Sequence, residues 1–198
     1  MNFQDLNVLP VGLGLAGVAF VIWWISAYNR LVRLRNLVKE SWSQVAVELH
    51  RRHDLIPNLV ETVKGYAAHE KAVFDSVSQA RLAALSTGMR PEEQAWRESS
   101  LSQALKSLLA IAEAYPELQA SSNFLSLQHE LANTEDRIAA TRRFYNSNVR
   151  NLNTTIEIFP SSIVARASNF LAAEFFELPD AGIRQAPALS FASPGKTS

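Results

Sequence analysis

Between Val8 and Ile25 the chain reads VLPVGLGLAGVAFVIWWI, with no charge and almost no polar side chain. A helix rises ~1.5 Å per residue, so the uncharged stretch from Leu6 to Asn29 outreaches the roughly 30 Å hydrocarbon core of a bilayer. A cleaved signal peptide is the main competing explanation, and it needs a positive leading segment and small residues at its end. Here the one charge before the run is Asp5, Trp23 and Trp24 stand at its end, and the chain has no cysteine for a lipobox. The sequence therefore predicts a short segment 1–7, a retained transmembrane helix over 8–27, and a soluble remainder. The spacing Gly12-x-x-x-Ala16 would let a second span approach closely, which makes a homo-oligomer one expected arrangement.

The flanks of the run carry its orientation. Arg30, Arg33, Arg35 and Lys39 follow it without an intervening acid, and no Lys or Arg precedes it. Basic residues collect on the cytoplasmic side of a span, so the bulk of the chain is expected in the cytoplasm, with Trp23, Trp24 and Tyr28 forming an interfacial aromatic belt. The lipid bilayer is thus the first expected partner. Nucleic acid is not expected as another, since Lys+Arg 19 balances Asp+Glu 19 and no basic face is suggested. The absence of cysteine also removes disulfides, thiolate metal sites and cysteine nucleophiles.

After the run the apolar residues follow a helical rhythm. Leu31, Leu34, Val38, Trp42, Val45, Leu49, Ile56, Leu59, Val63, Tyr66, Val73, Val77, Ala80 and Ala84 form one heptad-like stripe. Pro57 interrupts it chemically but not in phase, so the stripe is either one kinked helix or two in register, the second capped by Asp54. Gly88 followed by Pro91, Glu92 and Glu93 reads as a helix stop and a fresh start. The next helix is expected from Pro91 to Ala114. After Tyr115-Pro116-Glu117 a second stripe runs through Phe124, Leu131, Ile138, Tyr145 and Leu152. A short amphipathic helix is expected over Ser161 to Leu178, and its phenylalanines either close the bundle or lie on a membrane or partner. Residues 179–198 are rich in Ala, Pro, Ser and Gly and lack periodicity, which predicts a disordered tail. With no strand pattern present, the fold class is all-α, most simply an antiparallel bundle over residues 28–178.

Several longer strings carry more than periodicity. YNRLVRLRNLVKESW (Tyr28 to Trp42), RRHDLIPNLVETVKGYAAHE (Arg51 to Glu70), YPELQASSNFLSLQ (Tyr115 to Gln128), LANTEDRIAATRRFYN (Leu131 to Asn146) and FPSSIVA (Phe159 to Ala165) with Phe175-Phe176-Glu177 resemble the bacterial LemA family. The match follows family order, behind a span where the family has one. It departs at Leu152, where a Tyr-Asn pair is usual; at Asn169, where glycine is usual; and at Ala46, which replaces a commonly polar residue. The resemblance implies an up-and-down four-helix bundle on one anchor in the bacterial inner membrane. It implies no reaction, and relatives that include magnetosome-associated proteins suggest membrane-organising or partner-binding roles.

Chemistry-bearing patterns are sparse. Bundle di-iron sites use Glu-x-x-His, and no Glu stands three residues before His50, His53, His69 or His129. His50 and His53 share a helix face beside Asp54, which could hold a transition metal near the anchor, although two nearby histidines on a solvated helix are usually just that. No nucleophile elbow, phosphate loop or dinucleotide fingerprint is present, so neither an active site nor a cofactor is expected. Polar residues on apolar seams are more telling: Arg52 and Glu70 on the first stripe, and Gln128, Glu135 and Arg142 beside Leu131 and Ile138 on the last. A seam charge is costly unless paired, so Arg52 is expected to meet Glu130 or Glu135 across the bundle, or else to sit at the seam's edge in water. Asn123, Asn133, Asn146 and Asn153 need a reason on a helix, either bundle specificity or a binding face. These features together predict a non-enzymatic, membrane-anchored scaffold or adaptor for other membrane-associated proteins; the alternative is a sensor whose bundle repacks about Pro57 and Pro116 in response to a ligand or envelope stress.

Overall fold

The apolar run and the first heptad stripe form one helix. In the computed structural model, which describes residues 5–86 and 88–177 and side chains from residue 12 onward, α1 extends from Asp5 to Lys64. Its 60 residues correspond to about 90 Å of helix. Leu13, Leu15, Val18, Phe20, Val21, Ile22 and Ile25 are all exposed toward its N-terminal end, so this part is a candidate membrane helix, and only near its end do Trp23, Trp24 and Ala27 pack partly against the rest of the chain. The tail expected over 179–198 lies outside the described residues, as do residues 1–4 of the leading segment.

Pro57 neither ends α1 nor divides it. A proline withholds the N–H that would bond the carbonyl four residues earlier, here that of His53. Arg81 supplies the missing donor: its Nε bonds the His53 carbonyl at 2.8 Å. The stripe breaks instead at Gly65 to Glu70, where Ala67 N–H bonds Val63 O at 2.9 Å, and α2 follows over Lys71–Ala84. Asp54 is an exposed mid-helix residue, not a cap, and Glu70 stands at the start of α2.

Gly88, at φ +81°, makes the turn into α3, Pro91–Glu113, whose proline occupies the first turn with Glu92 and Glu93 at the positive end of the dipole. The short α4, Pro116–Gln119, leads into α5, Ser122–Glu157, and then α6, Ser161–Ala167. The helix expected to reach Leu178 therefore stops early. Asn169 takes φ 53°, its N–H bonds Arg166 O at 3.2 Å, and Phe170 N–H bonds Ala165 O at 3.0 Å. That is the Schellman pattern, which demands a residue tolerant of the left-handed region. Asn169 is such a residue. Beyond it, residues 170–177 run extended as a strap.

Helix α5 returns antiparallel along α1 in constant register: Trp42 meets Tyr145 with ring centroids 5.2 Å apart, Glu48 lies 3.9 Å from Arg137, and Arg52 reaches Glu135. Two apolar cores form along this pair. The distal core unites Ile56, Leu59 and Val63 of α1, Phe74 and Val77 of α2, Leu101, Leu105 and Leu108 of α3, and Phe124 and Leu131 of α5. The proximal core, nearer the apolar run, unites Leu31, Val38, Val45 and Leu49 of α1 with Ile138, Tyr145, Val149 and Leu152 of α5. Val164 and Ala165 of α6 and Phe170 and Phe176 of the strap close it. Helices α1, α2, α3 and α5, with Leu118 of α4, thus contribute to the distal core, whereas α6 and the strap stand in for α2 and most of α3 in the proximal half. Burial of each of these large side chains stabilises by roughly 1.5–3 kcal/mol.

If Arg81 stabilises by serving the acceptor that Pro57 strands, its worth depends on that proline. Arg81→Met should cost about 1–3 kcal/mol in chemical denaturation of the full chain. The loss should shrink markedly when Pro57→Ala restores the helical N–H, and equal losses in both backgrounds would dismiss this coupling.

Candidate functional site

The two apolar cores are separated by one polar layer. Leu49 and Ile56 lie in different cores, and between them α1 carries Arg52 and His53, 1% and 2% exposed. On α3 the layer is Glu98, between Ala95 and Leu101, and on α5 it is Glu135, between Leu131 and Ile138. Arg52 Nη1 donates to Glu135 Oε1 at 2.7 Å and to Ser102 Oγ at 3.1 Å. Its Nη2 pairs with Glu98 Oε2 and approaches the Glu98 carbonyl. His53 Nε2 donates to Glu98 Oε1 at 3.0 Å, and Gln94 Nε2 donates to the same oxygen at 2.7 Å and to the last carbonyl of α2, Ala84, at 3.0 Å. With Arg81 on the His53 carbonyl, all four long elements meet here.

The charges are uneven in their surroundings. Glu98 is 1% exposed whereas the Glu135 side chain retains 43%, so Arg52 reaches from a buried partner toward a wetted one. Burial alone would push the Glu98 carboxyl up; the His53 hydrogen bond, the Arg52 charge, the His53 charge and the Gln94 amide together outweigh it and hold Glu98 below its ordinary value. Arg52 Nε and His53 Nδ1 are buried without a protein partner. The bonds of the layer tie α1 to α2, α3 and α5, which fits a device for fixing register.

A second polar array holds the strap. Asn146 and Asn153 each grip one strap residue as a neighbouring β-strand would. Asn146 Nδ2 donates to Phe176 O at 3.1 Å and its Oδ1 accepts from Phe176 N at 2.9 Å; Asn153 does the same to Ala173 at 2.9 and 2.8 Å. Seven helical residues rise about 10.5 Å and three extended residues span about 10 Å, so the two spacings match. Tyr145, between them in space, donates its hydroxyl to Glu174 O at 2.8 Å; burial and the Glu174 carboxylate push its phenol up to about 12. Phe176 docks against Trp42, with ring centroids 5.4 Å apart.

Of the residues singled out from sequence, Arg52 and Glu135 meet in the polar layer and Asn146 holds the strap. Glu130 and Asn123 are exposed helix-surface residues, Asn133 bonds only the neighbouring turn through His129 at 3.1 Å, and Arg142 is half-buried away from the layer's bonds. Asp54 and His50 face solvent while His53 points inward, so this trio does not converge; no group of three His, Cys, Asp or Glu suited to a metal exists among the described residues. At the end of the apolar run Trp23 and Trp24 pack partly against the proximal core, Tyr28 stacks edge-on to Phe170 at 6.0 Å, and Arg35 lies 5.1 Å over the Phe170 ring. Arg30, Arg33 and Lys39 are exposed. Glu98 and Gln94 were missed, and His53 was weighed only as a metal ligand. The buried positions of α3 step from Leu101 through Leu105 and Leu108 to Ala112, alternating four and three; stepping back by three and then four lands on Glu98 and Gln94. A seam charge was the available signal.

The sign of the Glu98 effect fixes an acid response. Its contribution is complete above its ordinary value of 4.5 and is lost as pH falls through the lower value it holds in the fold. Glu98→Gln should cost about 3 kcal/mol near neutrality by leaving Arg52 short of a buried partner. It should also make the decline in stability toward acid shallower than in the parent. Identical acid limbs in denaturation-versus-pH profiles would contradict this assignment.

The chain is 26% identical to magnetosome protein MamQ 2 of Paramagnetospirillum magneticum over 202 aligned positions, covering 89% of this chain and 74% of that protein. It is 26% identical to magnetosome protein MamQ of Magnetospirillum gryphiswaldense, covering 83% and 70%. To protein LemA of Metamycoplasma hominis it is 23% identical, covering 86% and 75%. The sequence pattern of the LemA family matches residues 41–191, which take in the polar layer and the strap, and the chain belongs to the LemA family.

Proposed function

We propose that this protein is a non-enzymatic, membrane-anchored scaffold or adaptor that stands on the cytoplasmic face of a bacterial inner membrane and binds other membrane-associated proteins. The observation that carries this reading is the continuity of α1: the candidate membrane helix passes without a linker into both apolar cores, so the bundle is a rigid extension of the anchor. A stalk of this kind holds a binding surface at fixed height and orientation. The inward-turned polar layer supports a structural use of its charges, and the magnetosome names of two relatives are in keeping with a part in an assembly.

Exposed Arg30, Arg33 and Lys39 after the anchor support the cytoplasmic orientation. Trp96 of α3 and Leu82 of α2, 62% and 64% exposed, are apolar side chains on the α2–α3 hairpin that a protein partner would cover. The sensory alternative gains little from Pro57, because Arg81 fastens the carbonyl that a hinge would leave free.

A photo-reactive residue at Trp96 or Leu82 of the full chain in living cells should yield a few discrete adducts, and a cysteine at exposed Ser107 should resist a membrane-impermeant thiol reagent until the cells are opened. A random smear of adducts would count against the adaptor, and labelling of intact cells would reverse the orientation.

A further inference from the structure

The apolar residues around α6 divide into two sets. Val164, Ala165 and Phe176 are 0% exposed and Phe170 is 9% exposed, all in the proximal core. Ile158, Phe159 and Ile163 face outward at 47%, 80% and 49% exposure. The bonds that hold the strap do not involve their side chains, and each keeps about half or more of its surface open. Ile158, Phe159 and Ile163 fall within six residues at the corner between α5 and α6, where the Ile163 N–H bonds the Pro160 carbonyl at 3.2 Å, and make this corner an apolar tip.

The register of α1 and α5 gives the height of that tip. Trp42 lies against Tyr145, and the helices run antiparallel. Descending twelve residues from each brings α1 to Arg30 and α5 to its last residue, Glu157, after about 18 Å on both. Ile158 and Phe159 follow immediately, level with the stretch from Trp24 to Tyr28 where the apolar run ends. Trp23, Trp24 and Ala27 pack partly against the proximal core to which α6 contributes Val164 and Ala165, which independently brings α6 to this end. The charge around the tip is basic: Arg30, Arg33 and Arg166 are exposed, no acid lies between Tyr28 and Lys39, and Glu157 is the one acid between Asn151 and Phe170.

We propose that the α5–α6 corner is a second membrane contact, in which Ile158, Phe159 and Ile163 enter the interfacial layer of the same bilayer that α1 crosses, and Arg30, Arg33 and Arg166 lie among anionic lipid headgroups. Exposed apolar side chains accompanied by a surplus of basic over acidic residues are the usual composition of an interfacial anchor. The occupant follows from position, since the tip is continuous with the end of the membrane helix. Two contacts instead of one would restrict tilting of the bundle about its anchor. The inference rests on α1 being a membrane span.

The cysteine-free chain allows a direct test. An environment-sensitive fluorophore is placed on F159C, and separately on I163C, F20C and K106C, in the full-length protein reconstituted in phosphatidylcholine vesicles with and without phosphatidylglycerol. The expected result is strong quenching by bromine-labelled lipid chains and weak quenching by iodide at positions 159 and 163, as at 20 and unlike the distal position 106, with deeper burial when phosphatidylglycerol is present. If 159 and 163 behave as 106 does while 20 remains in lipid, the second contact is overturned and the anchor stands. If 20 also behaves as 106, both are overturned. Shielding from iodide at 159 without quenching by brominated chains would mean that protein covers the corner, which also rejects the proposal.

Discussion

A buried guanidinium shared between two carboxylates governs how this bundle is assembled. Arg52 lies where α1 passes from one apolar core to the other, and its partners come from α3 and α5. Apolar seams alone permit slippage by a turn, because one leucine resembles the next. A buried charge does not, since any shifted register leaves it unpaired at a cost of several kcal/mol. The layer therefore sets the alignment of three helices, and Gln94 extends it to the end of α2 through the Ala84 carbonyl. Its reach beyond Arg52 explains why hydrogen bonds, not additional apolar area, occupy the middle of the fold.

The same region resolves the conflict posed by Pro57. A proline inside a helix strands one carbonyl, and here that carbonyl belongs to His53, a member of the polar layer. Arg81 serves the stranded acceptor, so a local defect becomes a contact between α1 and α2. The helix can then continue from the candidate anchor to Lys64. Below the layer, α2 is absent, and α6 with the strap completes the proximal core through Phe170 and Phe176. The asparagine pairs on Asn146 and Asn153 make this possible by satisfying strap backbone that would otherwise be half-buried without a partner.

Much of this was legible beforehand, and the omissions have physical causes. The apolar run, the long stripes and the stop at Gly88 follow from hydropathy and backbone chemistry. Arg52 could be narrowed to Glu130 or Glu135, or to the seam's edge in water, because it interrupts a clean seam. Glu98 escaped because the first half of α3 offers few large apolar residues before Leu101, so its seam stands out only once Leu101, Leu105 and Leu108 are known to be buried. The break after Lys64 instead of at Pro57 depends on a donor, Arg81, that is distant in sequence. The short α6 and extended strap depend on one left-handed residue, Asn169, and on side-chain bonds seven residues apart on α5. Periodicity records which face is apolar, and it is silent about both.

The most direct test of the polar layer as the organising element is a double-mutant cycle on the full chain, with Arg52→Met, Glu98→Leu and the pair together followed by equilibrium unfolding. Each single change leaves a buried group uncompensated and is predicted to cost about 3–5 kcal/mol, while the pair should cost distinctly less than the sum, with a coupling of about 2 kcal/mol or more. Additive losses, or single changes that cost nothing, would show that Arg52 and Glu98 do not act on one another and that the alignment of the helices has another origin.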